Sequence, residues 1–571
     1  MRIILTIALC CLCISFANAQ TTKYFKKTFG DPYPFYEAGQ TVHTLSNGYL
    51  VGGQSLTSNP YEIDAFILNI DLFGNAFWQF KVQDTTLLTT ILSSTILDGK
   101  YYFAGELPDF VNSKATGFIL KADSSGNFIW QKSIGGNISS SIYNIISSSD
   151  GNLVMSGWIQ DTVTQYWQGN LIKTDTSGNI LWNKTYQGIY NSAITAVKEL
   201  PNGNFVLIGR TEFVLGSGKI WFLLVDDVGN LISTNSYFMG SMGITNYFQV
   251  GFSLDFTIDS GYIIGGHGGI TPNVTRGVIV KLNSSGQVDW YKMLTENPDG
   301  TGNLWMSKVY RIKQLADSSF ILTGYLQAGP NQDYKMILIK LDFNGNELWR
   351  RSYNTVNGYD TYGYDMDVTP DGGYILTGRT ENATNAELLL VKTNCLGFWQ
   401  APKADFSVIW NGSTATFYNL SGRADTCIYY FGDGDSAVVH LTDTTPVVHT
   451  YAGSGPYTPY LLAYACGEVD TLYQTIYTGI NNEYELIEKS FTIFPNPAAE
   501  KITLSCIIPS HLTEVNLLIT DLTGSVISSN QIQGNPREQE VDISYLNNGS
   551  YLMNLEHNGN ILASRKLMVV K

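Results

Sequence analysis

Apolar and polar positions alternate in short runs along the first two thirds of the chain, and the runs repeat. YLVGG, NLVMSG, NFVLIG, YIIGG, FILTG and YILTG each end near a glycine. Before runs of this kind stands Asn or Asp followed by Gly or Ser: Asn47-Gly48, Asp98-Gly99, Asp150-Gly151, Asn202-Gly203, Asp259-Ser260, Asp317-Ser318 and Asp371-Gly372. Such dipeptides supply the positive φ that tight hairpins need. Later in each repeat comes a second turn, an acid or amide, then Gly, then Trp: Asp71, Gly74, Trp78; Asp123, Gly126, Trp130; Asp175, Gly178, Trp182; Asn283, Gly286, Trp290; Asp342, Gly345, Trp349. The fourth copy keeps Asp226 and Gly229 but has Ser233 for the Trp, and the seventh breaks off after Asn394 and Gly397. Two hairpins per repeat predict four antiparallel strands. A period of roughly 50 residues predicts propeller blades, not the shorter parallel coils of a β-solenoid. Seven copies predict seven blades over residues 20–401.

The broken seventh copy lacks an outer strand. At the other end, Tyr24 to Gly30 matches Ile129 to Gly135 position by position, with Phe25 where the Trp belongs. The segment 22–30 is therefore expected to supply the missing strand and close the ring, removing an exposed edge. The recurrent Trp residues are expected to pack between blades. The recurrent lysines Lys121, Lys173, Lys281, Lys340 and Lys392 read as solvated strand ends.

Charge narrows the partners. Lys and Arg total 34 against 49 Asp and Glu, a net charge of −15, which repels nucleic acid and anionic membranes. Residues 1–19 read as a secretory signal: Arg2, an apolar run from Ile3 to Phe16 too short to span a bilayer, and Ala17-Asn18-Ala19 as cleavage site. No later segment has the length of a membrane span. Three of the seven cysteines fall within the signal. Cys427 and Cys466 fall in one small domain and are candidates to pair.

Residues 402–478 change texture. Ala404-Asp405-Phe406, Phe431-Gly432-Asp433-Gly434, His449-Thr450-Tyr451 and Tyr457-Thr458 occur in that order. The segment resembles the PKD domain, an immunoglobulin-like β-sandwich, although Pro459 departs from its pattern. Acids in some modules of this kind touch calcium, which makes Asp433 and Asp435 candidates; service to the turn is the simpler role. After a linker at 479–490, residues 491–571 carry Phe494-Pro495-Asn496-Pro497, Asp521-Leu522-Thr523-Gly524, then Leu546, Gly549 and Tyr551, with Lys566 and Lys571 at the end. This resembles the C-terminal sorting domain of the type IX secretion system of Bacteroidetes. The resemblance implies a seven-stranded sandwich, the secretion machinery as partner, and an extracellular or outer-surface destination reached through the periplasm. Asp161-Thr162-Val163 and two similar triplets resemble O-glycosylation sites of that phylum. The fold class expected for the whole is all-β, a seven-bladed β-propeller followed by two β-sandwich domains.

No catalytic motif stands out. H-E-x-x-H, G-x-S-x-G and the phosphate-binding P-loop are absent, and no His pair has metal-ligand spacing. No catalytic residue, metal or cofactor is assigned. His267, in a glycine run, reads as part of a flexible turn. Variable connections gather on one face and carry aromatics and acids. Tyr36, Tyr61, Trp167, Tyr190, Trp305, Tyr359 and Tyr362 are the candidate ligand-binding residues of that rim, joined by Tyr33, Phe35, Tyr166, Tyr247 and Tyr364 and by Asp31, Asp64 and Asp360. Ring faces flanked by acids and amides suit a glycan or a protein partner. The first expectation is thus a secreted or cell-surface binding protein. The alternatives are a polysaccharide-degrading enzyme, a glycoside hydrolase or lyase with carboxylates meeting at the channel, and a non-enzymatic surface adhesion or structural protein.

Overall fold

The computed structural model describes residues 23–571, except 31–35, 57–62, 83–88, 110–111, 113, 137, 215, 239–247, 272–273, 296–305, 330–331, 356–357, 383–384, 441–444, 454, 477–482, 510–511, 513 and 533–536. The signal at 1–19, Tyr61, Trp305, Tyr33, Phe35, Asp31 and Tyr247 lie outside the described residues. The chain divides into two compact units, 1–401 and 402–571.

The first unit is a β-propeller. Its described residues hold seven four-stranded antiparallel sheets, six of them formed by consecutive strands. In the first, Tyr36–Leu45, Gly48–Leu56, Ile63–Asp71 and Ala76–Val82 run in order from the channel outward. The seventh combines Asp360–Val368, Tyr374–Glu381 and Ala386–Thr393 with Phe25–Phe29, which pairs antiparallel along the third strand from Phe25 opposite Lys392 to Phe29 opposite Leu388. The two ends of the unit thus share one sheet.

Packing runs between neighbouring sheets. One core joins Val206, Ile208, Ile220 and Phe222 of the fourth sheet to Leu254, Ile264, Val278 and Val280 of the fifth. Another joins Ile375, Leu388 and Leu390 of the last sheet, with Phe25, to Val42, Val51 and Phe66 of the first. The outer-strand Trp closes five of the joints at the edge. A Cβ on Gly126 would lie 2.5 Å from Trp78, and one on Gly397 would lie 2.9 Å from Trp349. Phe25 takes the same place against Gly74, at 2.9 Å. The turn glycine is therefore required twice, for its positive φ of +83° at Gly126 and for the indole laid over it. The turn itself is built by its first residue: Asp71 accepts from the backbone N–H groups of Phe73 and Asn75, each at 2.8 Å, and from the Asn75 side chain at 2.9 Å.

Three expectations about single residues change. Four of the periodic lysines reach back to the Asp or Asn turn of their own sheet: Lys173 to Asp150 at 2.7 Å, Lys281 to Asp259 at 2.7 Å, Lys340 to Asp317 at 2.8 Å and Lys392 to Asp371 at 3.0 Å. Lys281 and Lys392 are only 1% exposed and Lys173 is also buried, so these three are paired, buried cations and not solvated ends, while Lys340 pairs at the surface. His267 belongs to the strand Tyr262–Thr271 and is buried between Phe248 and Phe252, with ring centroids 5.6 and 5.1 Å away. A run of glycines there permits a close-packed strand instead of a loose turn. Cys427 is a free thiol, buried in its sandwich core, so it forms no bridge with Cys466.

The second unit holds two β-sandwiches. In the first, a three-stranded sheet faces a four-stranded one across a core that includes Phe406, Phe417, Tyr429, Phe431 and Tyr451. In the second, sheets of three and four strands enclose Leu504, Val515, Leu517, Ile519 and Met553. Part of the stretch read as a linker, Glu483–Ser490, is an α-helix whose Ile487 is buried in that second core. Apolar Leu486, Ile487 and Phe491 on one side explain why the segment docks. No helix among the described residues is long and apolar enough to cross a membrane.

Candidate functional site

Every inner strand of the propeller carries a β-bulge at the same place. The pairing register with the second strand slips at Gln40, Leu92, Tyr143, Thr195, Phe252, Tyr310 and Tyr364. A bulge re-aims the extra residue's side chain. Here all seven extra residues line one cavity of about 310 Å³ in the central channel. The periodic glycine of each second strand sits beside the bulge. A Cβ on Gly105, Gly209 or Gly378 would stand 1.8, 1.9 or 1.8 Å from the inner-strand carbonyl oxygen of Thr90, Ala193 or Tyr362. That glycine is thus the sequence trace of the bulge, and the bulge forms the cavity.

After four of the bulges, the next residue ties neighbouring sheets together. Ser93 Oγ accepts from Ile145 N–H at 3.2 Å, Asn144 Oδ1 from Val197 N–H at 3.0 Å, Ser253 Oγ from Ile312 N–H at 3.1 Å, and Asp365 Oδ2 from Val42 N–H at 3.0 Å. These bonds fix the channel wall from which the bulged side chains project.

The cavity is aromatic, amide-bearing and cationic. Trp167, Phe248, Phe252, Tyr143, Tyr310 and Tyr364 contribute rings, Gln40 and Asn144 amides, and Arg210 and Arg311 guanidinium groups. Trp167 opens its sheet's third strand and stacks on Trp158 at 4.5 Å with planes 23° apart. The Trp158 indole donates to the Tyr143 hydroxyl at 3.0 Å. Burial, then the charge of Glu106, pushes the Tyr143 phenol up to about 12. Burial also raises Tyr310 to about 12 and Tyr364 well above the ordinary phenol value. These phenols stay protonated at neutral pH and can donate hydrogen bonds.

Three of the inner-strand carboxylates are turned to cations. Asp365 pairs with Arg311 Nε at 2.5 Å, and Asp367 with Lys313 at 2.6 Å; Lys198 holds Asp255. Arg379 lies over the rings of Tyr36 at 4.8 Å and Tyr362 at 4.4 Å, donates to the Tyr36 hydroxyl, and bonds Glu381 at 3.0 Å. Its pKa is raised because the neighbouring Tyr364, Tyr36 and Glu381 outweigh burial, the largest single influence.

The rim candidates therefore separate. Trp167 lines the cavity. Tyr36 and Tyr362 stand behind Tyr364 through Arg379, with the Tyr362 and Tyr364 rings nearly parallel at 6.4 Å. Tyr190 sits edge-on to Tyr166 at 5.3 Å and does not line the cavity; Tyr359 is half-buried and likewise outside it. Sequence reasoning passed over Gln40, Tyr143, Thr195, Arg210, Phe248, Phe252 and Tyr310. The bulged ones stand at a near-constant offset before each Asn/Asp turn, a signal that an aligned comparison of the repeats exposes.

In the second unit, Asp433, Asp435 and His449 have ligand atoms close enough to hold a cation. The His449 ring already bonds Asp433 at 2.7 Å and stacks on Phe431 at 4.0 Å, and Asp433 accepts the Asp435 N–H at 3.1 Å. The arrangement is a self-satisfied turn. In the last sandwich, Asn496, between Pro495 and Pro497, donates to the Lys566 carbonyl at 2.7 Å and accepts the Met568 N–H at 2.9 Å. Gly524 takes a φ of +90° in a turn built by Asp521. Tyr551, in the strand begun by Gly549, donates to the Asn547 carbonyl at 2.9 Å. Lys566 and Lys571 are exposed, the latter's N–H bonding Asn548 at 2.7 Å.

Residues 492–570 match the family described as the secretion system C-terminal sorting domain. That tail marks a protein exported to the cell surface or beyond. None of the curated proteins matches the chain. Among solved structures, the β-propeller domain of the Trilobed protease from Pyrococcus furiosus is similar at 12% identity and a TM-score of 0.36, over 64% of this chain and 97% of that one. The Pan2 WD40 domain of Neurospora crassa is similar at 13% identity and a TM-score of 0.40, over 65% of this chain and 95% of that one.

Proposed function

We propose that this is an exported binding protein whose propeller takes a saccharide in its central cavity. The observation that carries the reading is the convergence of all seven bulged side chains on one cavity of about 310 Å³. Rings in the wall stack on the apolar faces of a sugar, while protonated phenols and amides serve its hydroxyls. No carboxylate is among the cavity's described lining residues, and Asp255, Asp365 and Asp367 of the inner strands are ion-paired. That favours binding over the paired-carboxylate hydrolysis of the enzymatic alternative.

The rest of the chain serves delivery. Residues 491–571 direct export through the type IX machinery, and 1–19 are the signal that starts it. Residues 402–478 form a PKD-like spacer, and 20–401 carry the ligand. The test is titration calorimetry of the purified full chain against a panel of neutral and acidic oligosaccharides. Binding by the wild type that falls at least tenfold in Trp167→Ala, with an unchanged unfolding midpoint, is the expected result. Binding that Trp167→Ala leaves untouched would place the ligand elsewhere.

A further inference from the structure

The charges around the cavity are sorted. Two cations, Arg210 and Arg311, line it, and no anion is among its described lining residues. Their carboxylate partners, Glu212 and Asp365, do not line it. In a chain of net charge −15, the charged groups that face the cavity are thus cations, with their carboxylate partners set outside the lining.

The two guanidinium groups differ in what they have left to give. Arg311 Nε is held on Asp365 Oδ1, an oxygen that also accepts the Met366 N–H at 2.8 Å. The Arg210 guanidinium makes one hydrogen bond with the described residues, from Nη2 to Glu212 Oε1 at 3.1 Å. Glu212, only 4% exposed, also accepts from the Asn191 side chain at 3.2 Å. A guanidinium has five N–H donors in a rigid plane. The Arg210 plane is held over Phe248 at 4.5 Å and near Trp167 at 5.6 Å. Ring contacts hold the plane without using its donors, so a residue that lines the cavity keeps N–H groups to give.

Resting on the saccharide reading above, we propose that the sugar taken here is an acidic one, its carboxylate or sulfate-ester oxygens accepting hydrogen bonds from Arg210. Stacking on Trp167 and a two-point guanidinium–oxyanion contact place the ring and its acidic group together. A long polyanion lying across the protein meets the repulsion of the whole chain. A cavity this size takes a small ligand, so the acidic sugar enters as a short oligosaccharide or as the end or branch of a longer chain.

Matched pairs of short oligosaccharides test this by calorimetry: trigalacturonate against its methyl ester, and a sulfated oligosaccharide against its desulfated form. The full-length wild type is expected to bind one acid at least tenfold more tightly than its neutral counterpart. Which pair discriminates tells carboxylate from sulfate. The double variant Arg210→Gln/Glu212→Gln removes both charges of the pair and leaves no carboxylate stranded. It is expected to bind acid and neutral forms alike, with the wild-type unfolding midpoint. A tenfold acid preference that persists in the double variant overturns the role of Arg210. Wild-type binding of neutral and acidic forms with equal affinity overturns the acidic-sugar proposal and leaves the saccharide reading standing. Failure of every saccharide to bind overturns both.

Discussion

At the scale of single residues, two kinds of glycine in the propeller look alike in sequence and differ in physics. Gly209 lies within a second strand, and a Cβ there would meet the Ala193 carbonyl oxygen at 1.9 Å. Gly151 sits in a hairpin turn at a φ of +79°, and a Cβ there would meet nothing within 4 Å. The first is required by space, the second by backbone conformation. Gly209→Ala forces two strands apart beside the cavity and is expected to cost about 3 kcal/mol or more. Gly151→Ala meets only the left-handed penalty of about 1 kcal/mol. Denaturant unfolding of both variants measures the difference, and calorimetry shows whether Gly209→Ala also weakens ligand binding. Equal costs for the two would mean that the strand can shift to admit a methyl group, and with it that the bulge does not hold the cavity wall rigidly.

At the scale of elements, four of the sheets fasten their own hairpins with a lysine. Asp371 in the turn accepts from Thr369, from the Gly373 N–H and from Lys392. Burial works to raise its pKa, but these hydrogen bonds and the Lys392 charge prevail and hold it at about 2, below the ordinary 3.8. A carboxylate depressed by folding stabilises the native state above its unfolded pKa, and that contribution fades as the pH falls from about 4 to about 2. Asp371→Asn is therefore expected to lower stability at pH 7 and to lose less on acidification than the wild type. Unfolding midpoints at pH 7, 4 and 2 measure both. Parallel acid losses in the two chains would show that the pair contributes nothing across that range. The hairpin turns are legible in the sequence because Asn, Asp and Gly announce positive φ locally. The lysine that meets Asp371 is not, because the contact is set by strand register across a sheet, which residue type does not encode. A bulge is hidden in any single strand for the same reason, and only the comparison of repeats, through the periodic glycine and the near-constant offset to the turn, betrays it. Of the rim aromatics, loop composition points to Trp167, but it does not separate it from Tyr190, whose ring turns to Tyr166 instead.

At the scale of the whole molecule, the chain keeps its tasks in separate cores. Each apolar cluster of the propeller draws on residues before 401, and the last sandwich draws only on residues from Ile487 onward. The N-terminal strand completes the seventh sheet, so the propeller needs nothing from the C-terminal modules to pair its edges. Export and binding should then be separable. A chain ending at residue 491 retains every residue of the cavity and lacks the sorting domain matched at 492–570. In the organism that makes the protein, this truncation is expected to move the protein from the cell surface or medium into the periplasm, as read by fractionation and immunoblotting. The retained protein should still bind the saccharide with wild-type affinity after purification. Surface delivery of the truncated chain would show that the tail is not the export address. Loss of binding despite normal folding would show that the cavity depends on the module beyond it, contrary to the independence that the separate cores imply.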